Sequence, residues 1–165
     1  MKQIRDRIRA AVGAASVLEL GPAYFPIVSK AAGFNAKVFD HASREDLIAK
    51  YAGQPVNPDD IEEVDFIGTK LSEVSGTFDH IVASHFIEHT TDLVEFLRGC
   101  SALLNMGGKL HLIVPDKRAC FDALRPVTST GHVIDAHVGK RSRHFGAIFD
   151  QFANAVSRNG GILWF

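Results

Sequence analysis

The stretch Val17-Leu18-Glu19-Leu20-Gly21-Pro22-Ala23-Tyr24-Phe25-Pro26 decides the fold. Ser16, Val17, Leu18 and Leu20 suit a strand covered on both faces, as in a parallel sheet. Glu19 places an acid inside that strand. Gly21 lets the backbone turn sharply and lets a ligand approach where a side chain would block it. Pro26 is placed to open a helix, because its missing N–H is an orphan there anyway. A strand running through a glycine turn into a helix is where doubly wound folds bind nucleotides, beyond the carboxyl ends of the strands. Asp40 stands 19 residues after Gly21, at the end of the next apolar run, Ala36-Lys37-Val38-Phe39. Such folds place an acid there for ribose hydroxyls.

Working outward, Ile4, Ile8 and Val12 recur every four residues among charged neighbours and predict a leading amphipathic helix. Residues 27 to 32 predict a short helix ending near Gly33. Ser43-Arg44-Glu45-Asp46 has the pattern of a helix cap, with the helix running to about Tyr51. Residues 53 to 60 carry Pro55, Asn57 and Pro58 and read as a loop. Residues 64 to 67 and 78 to 84 read as the third and fourth strands. Leu93, Phe96, Leu97, Cys100, Leu103 and Leu104 form a helical apolar face, ended by Asn105-Met106-Gly107-Gly108. Residues 110 to 114 are the fifth strand, stopped by Pro115. Alternation of strands and helices implies an α/β fold with a mostly parallel sheet. Residues 117 to 143 have few periodic apolar positions and read as a loop-rich insertion within a single domain, 1–165. Phe145, Ile148, Phe149, Phe152 and Val156 then repeat as a helix face.

Composition narrows the class. The 165 residues fit one domain with a sizeable core. A net charge of −1 gives no basic field for nucleic acid. Arg5, Arg7 and Arg9 read as the solvated face of the first helix. Cys100 and Cys120 have no metal-ligand spacing, and Cys100 reads as a reduced core residue. A cytoplasmic setting follows as the default. No run is long enough to span a membrane and no signal peptide is visible, so no membrane partner is expected.

The third informative stretch is Phe78-Asp79-His80-Ile81-Val82-Ala83-Ser84-His85-Phe86-Ile87-Glu88-His89. Together with the opening stretch, Asp40, and a helix–Gly107-Gly108–strand ending in Val114-Pro115-Asp116, it resembles the class I S-adenosylmethionine-dependent methyltransferases, over roughly residues 15 to 125. The resemblance is to the small bacterial methyltransferase-domain proteins. It implies a Rossmann-like, doubly wound sheet of about five strands in the order 3-2-1-4-5, with helices on both faces. It implies S-adenosylmethionine as cofactor. On the residues that match, Glu19, Gly21 and Pro22 would lie under the methionine part and ribose, and Asp40 would take the ribose hydroxyls. Ser84 and His85 would sit beside the sulfonium and the substrate entrance. His41 would meet the adenosine, and Thr69 or its backbone would meet the adenine. His85, then Asp116, are the candidate general bases for a hydroxyl acceptor. The acceptor would be a small molecule or glycan.

Two departures matter. Pro22, Ala23 and Tyr24 follow Gly21 where relatives have further glycines. Relatives also continue to a closing antiparallel pair of strands, which this chain does not supply. A fifth strand without that pair is an exposed edge, and edges pair with other chains unless covered. The expected covers are the C-terminal Ile162-Leu163-Trp164-Phe165 folded back as a strand, or a second copy in a homodimer.

Rival readings remain at this point. A non-catalytic methyltransferase-like domain that binds cofactor or a partner would explain the short chain. An NAD-type Rossmann dehydrogenase shares the strand–glycine–acid logic but wants Gly-x-Gly-x-x-Gly, which does not follow Leu20. His85-x-x-Glu88-His89 also matches an inverted zinc-protease pattern. That pattern needs both histidines on one helix, whereas His85 ends an apolar strand, so no metal site is expected.

Overall fold

The structure is a computed structural model that describes residues 2–155 and, beyond them, the backbone of Ser157–Arg158 and Gly161–Ile162. Helix α1 (Lys2–Val12) leads into strand β1 (Val17–Leu20). Then come β2 (Ala36–Asp40), helix α2 (Arg44–Lys50), β3 (Phe66–Ile67), β4 (Phe78–Ser84), helix α3 (Leu93–Leu103) and β5 (Leu104–Ile113). Helices α4 (Thr130–Val138) and α5 (Phe145–Ala153) follow, then two short strands, β6 (Ser157–Arg158) and β7 (Gly161–Ile162).

The sheet has the order β3-β2-β1-β4-β5, and all its pairings are parallel. This is the Rossmann-like order that the family resemblance implies. Parallel strands need covered faces, and two apolar layers cover them. On one face Leu18, Leu20, Ile81 and Ala83 pack with Phe96, Cys100 and Leu103 of α3. On the other, Val17, Val82 and Ile113 pack with Ile8 and Val12 of α1 and with Ile27 and Val28. Fully burying one such aliphatic side chain stabilises the fold by roughly 1.5–3 kcal/mol. Burial pushes the Cys100 thiol up to about 12, so it serves as a small apolar core group.

Several local expectations are corrected. Pro26 opens no helix, and only a 3-10 turn forms, at Lys30–Ala32. The stripe of α1 that faces the core is Arg5, Ile8 and Val12, while Ile4 is half exposed. Arg5 is therefore not a solvated side chain. β5 begins at Leu104, so Asn105–Gly108 belongs to the strand, and its pairing with β4 slips between Phe78 and His80. β5 has no second neighbour among the described residues. β7 pairs antiparallel with β6, Ile162 opposite Ser157, and is not added to β5. The rest of the proposed cover, Leu163 to Phe165, lies outside the described residues. No helix among the described residues is long and apolar enough to cross a membrane.

Candidate functional site

The strand order reverses between β1 and β4, and open α/β sheets bind ligands outside the carboxyl ends of the strands at that point. Leu20 pairs with Ala83, so Gly21 leaves the sheet beside Ser84, the last residue of β4. Gly21 has φ +58° and donates its N–H to Phe39 O at 2.8 Å. A Cβ on Gly21 would sit 2.7 Å from the ring of Phe86. Glycine is thus required twice over, by the left-handed backbone and by the ring. Phe86 stacks in turn near Phe96 of α3, with ring centroids 5.8 Å apart.

Glu19 points under the turn. It is 1% exposed, and its two carboxylate oxygens accept the N–H groups of Ile27 at 2.6 Å and Val28 at 3.0 Å. Burial pushes its pKa up to about 7, against the pull of those two N–H groups and of Arg5. Pro26 starts no helix, and the two amides after it end on this strand carboxylate. Pro22 closes the turn through its carbonyl, which accepts from Phe25 N at 2.9 Å.

Asp40 ends β2 and is 3% exposed. Its Oδ1 accepts from His41 N at 2.7 Å and faces His41 Nδ1 at 2.5 Å. Its Oδ2 has one longer protein partner, Ala23 N at 3.3 Å, and so keeps acceptor capacity for a hydroxyl donor. The other nitrogen of His41 lies 3.1 Å from Lys50 Nζ, which makes His41 an orienting group for the carboxylate. Two residues that the sequence reading passed over stand close by. Tyr24 and Tyr51 meet edge to face, with centroids 4.8 Å apart. The Tyr51 phenol is pushed up by burial, then by the Asp40 charge and by Tyr24. The signal available was position: Tyr24 lies in the turn itself, and Tyr51 ends the helix that follows Asp40.

Thr69 is exposed, and its N–H and that of Lys70 donate to Glu73 Oε2 at 2.8 and 3.0 Å. Ser84 is half buried at the end of β4. His85 has φ +52°, an uncommon backbone for a residue with a side chain, and donates its N–H to Ile113 O at 2.9 Å. Its Nδ1 lies 3.4 Å from Glu88 Oε1. Ile87–His89 is a 3-10 turn, so His85 and His89 do not share a helix as the zinc pattern requires. Asp116 caps the next 3-10 turn, and Arg118 grips its carboxylate, with Nη2 at 2.6 Å from Oδ2. The Arg118 side chain and N–H hold the Asp116 pKa down at about 2. Asp79 sits at the opposite end of β4, where it ties Ser16 and Asn105.

The family described as a methyltransferase domain matches residues 28–112, more than half of the 165-residue chain. The chain belongs to the methyltransferase domain family. The matched segment of this methyltransferase domain holds β2 with Asp40 and β4 with Ser84 and His85. Similar solved structures include the glycopeptide N-methyltransferase MtfA, at 16% identity and TM-score 0.48, with 67% of this chain and 51% of that one covered. The CcbJ methyltransferase from Streptomyces caelestis shows 19% identity and TM-score 0.46 over 67% of this chain and 50% of that one. A methyltransferase from Pyrococcus furiosus shows 23% identity and TM-score 0.45 over 82% and 72%. The chain spans about half the length of the first two. No curated protein matches it.

A buried carboxylate with spare acceptor capacity suits the two hydroxyl donors of a ribose. A glycine turn beside it admits a ligand close to the backbone. The turn leaves β1 at the reversal of strand order and Asp40 ends the neighbouring β2, so the residues present fit a nucleoside-bearing cofactor.

Proposed function

We propose that this domain binds S-adenosylmethionine and transfers its methyl group to an oxygen or nitrogen of a small molecule or glycan. The observation that carries the reading is the buried Asp40 carboxylate, set at the end of β2 across from the Gly21 turn. Asp40 would hold the ribose hydroxyls, with His41 and Ala23 N–H fixing its plane. Gly21 and the backbone after it would pass beneath the methionine part. When bound, the cofactor supplies an electrophilic methyl group on a sulfonium, and much of the rate of such a displacement comes from positioning.

His85 is the better of the two candidate bases. Its side chain is about half exposed, at 48%, and stands at the strand end with Glu88 beside it. Asp116 is held at about 2 by Arg118 and is a weak proton acceptor at neutral pH. Calorimetric titration of the wild-type chain with S-adenosylmethionine, S-adenosylhomocysteine and NAD tests the reading. Saturable heat with the first two and none with NAD is expected. Binding of NAD alone would replace the methyltransferase reading with the dehydrogenase one, and binding of none would leave a fold without this cofactor.

A further inference from the structure

Helix α1 lies outside the strand–turn–strand frame of the site, yet its charged side chains reach into it. Arg5 is 7% exposed, a rare state for arginine unless it is paired. Its hydrogen-bond partners are carbonyls and not acids. Nη1 donates to Phe25 O at 3.3 Å and Nη2 to Pro26 O at 2.5 Å, and the guanidinium lies 3.8 Å from the centroid of the Phe25 ring. One helical turn later, Arg9 Nε donates to Ile27 O at 2.7 Å. From the strand side, Glu19 accepts from the next two amides, Ile27 and Val28. Three consecutive carbonyls and two consecutive amides are therefore held by three charged side chains.

The segment needs this. Residues 25 to 29 form no regular helix or strand, and Ile27 and Val28 are fully buried. Buried backbone groups must find partners, and the segment cannot supply them itself. Its course also sets the turn before it. Ala23 holds φ +50° and sends its N–H to Asp40 Oδ2 at 3.3 Å, and Phe25 N closes back on Pro22 O at 2.9 Å.

We infer that Arg5 and Arg9 are positioning residues for the cofactor site: α1 fixes residues 25 to 27, and through them the Gly21–Ala23 turn and the plane of Asp40. The inference rests on the reading that this crevice takes S-adenosylmethionine. It makes ligand affinity a property of the leading helix as well as of the crevice. Arginine is specific here, since its planar fork spans two carbonyls and stacks on a ring, while a lysine offers one point charge.

The test is S-adenosylhomocysteine affinity by calorimetry, with thermal unfolding and amide hydrogen exchange, on the full chain and on Arg5→Lys, Arg9→Ala, the double Arg5→Ala/Arg9→Ala, and Arg7→Ala. Arg7 is exposed on the same helix and serves as the control. The double variant is expected to lose roughly ten- to a hundredfold in affinity, the weight of charge-assisted hydrogen bonds. Exchange should quicken at Ile27 and Val28 and stay slow in β4. Arg5→Lys should recover most of the unfolding temperature yet remain several-fold weaker in binding, a split that a purely structural role would not produce. Arg7→Ala should match the wild type. If the double variant does not fold, Arg5→Lys and Arg9→Ala decide. Wild-type affinity and wild-type exchange in both would overturn the inference alone. A wild-type chain that binds no S-adenosylhomocysteine would overturn the functional reading and this inference with it.

Discussion

The loop after β1 and the segment after β5 leave the same edge of the same sheet, and they are held in opposite ways. In the first, Ile27 and Val28 are fully buried, and Arg5, Arg9 and Glu19 bind the backbone around them. In the second, residues 114 to 155, Ala136 is the one core residue among those described. Phe145, Ile148, Phe149 and Phe152 make an apolar stripe along α5 and are all exposed. The ties of this segment to the sheet domain are polar. His137 Nδ1 lies 2.9 Å from Asp92 Oδ2, and His144 Nε2 lies 2.9 Å from the His89 carbonyl. Apolar periodicity thus announces a helix without saying what it packs against. An irregular loop can be the more firmly held of the two. By this account the first loop opens only with the whole domain, while the second segment opens locally at small cost.

The largest effect that would break this contrast is expected at Gly21. Gly21→Val combines a left-handed backbone, which costs about 1–2 kcal/mol for an ordinary residue, with overpacking against Phe86, which costs typically about 1–3 kcal/mol. Urea unfolding should show a loss of roughly 2–5 kcal/mol. Stability equal to that of the wild type would mean that the ring yields and the turn is soft.

Glu19 gives the next effect, through pH. Its pKa is raised from 4.5 to about 7, first by burial. The folded chain therefore keeps this proton to a higher pH than the unfolded chain does. The protonated form's stability is fully present below about 4.5 and is lost as pH rises through about 7. At about 1.4 kcal/mol per tenfold change in proton affinity, the loss reaches at most about 3.5 kcal/mol. Glu19→Gln removes the titration, so the stability difference between wild type and variant should change across that window. A difference that is flat from pH 4.5 to 7 would show that the carboxylate is better solvated than its 1% exposure implies.

The smallest effect belongs to the other region. Phe149 is 72% exposed, so Phe149→Ser should change unfolding free energy by less than about 0.5 kcal/mol. A loss of 2 kcal/mol or more, as for a core phenylalanine, would show that this face is covered in solution, roughly as a large core residue is.

Much of this frame was legible in the chain itself. β1, β4 and the Ser43 cap of α2 follow directly from local pattern, and Ser43 Oγ does accept from Asp46 N. The α/β class follows from the alternation of elements, and the strand order from the family resemblance. What local pattern misses are the partners reached from afar. Glu19 takes the amides after Pro26 from eight and nine residues away, a contact that no local pattern announces. Arg5 looked solvated because charged residues surround it. Its spacing of three and seven residues from Ile8 and Val12 was the available sign that it shares their buried stripe. At the site, Asp40 and Gly21 could be named from order and spacing. Phe86 could not, because its approach to Gly21 joins the ends of β1 and β4, while Tyr24 and Tyr51 had only their positions, in the turn and at the end of α2, to mark them.

The most direct test of the account is calorimetric titration of S-adenosylmethionine into the wild-type chain and into Asp40→Ala. The wild type should bind. The variant should remain folded and lose about ten- to a hundredfold in affinity, since hydrogen bonds to a charged group contribute roughly 1.5–3 kcal/mol. A folded Asp40→Ala chain with the wild-type dissociation constant would contradict the placement of the ribose at this carboxylate.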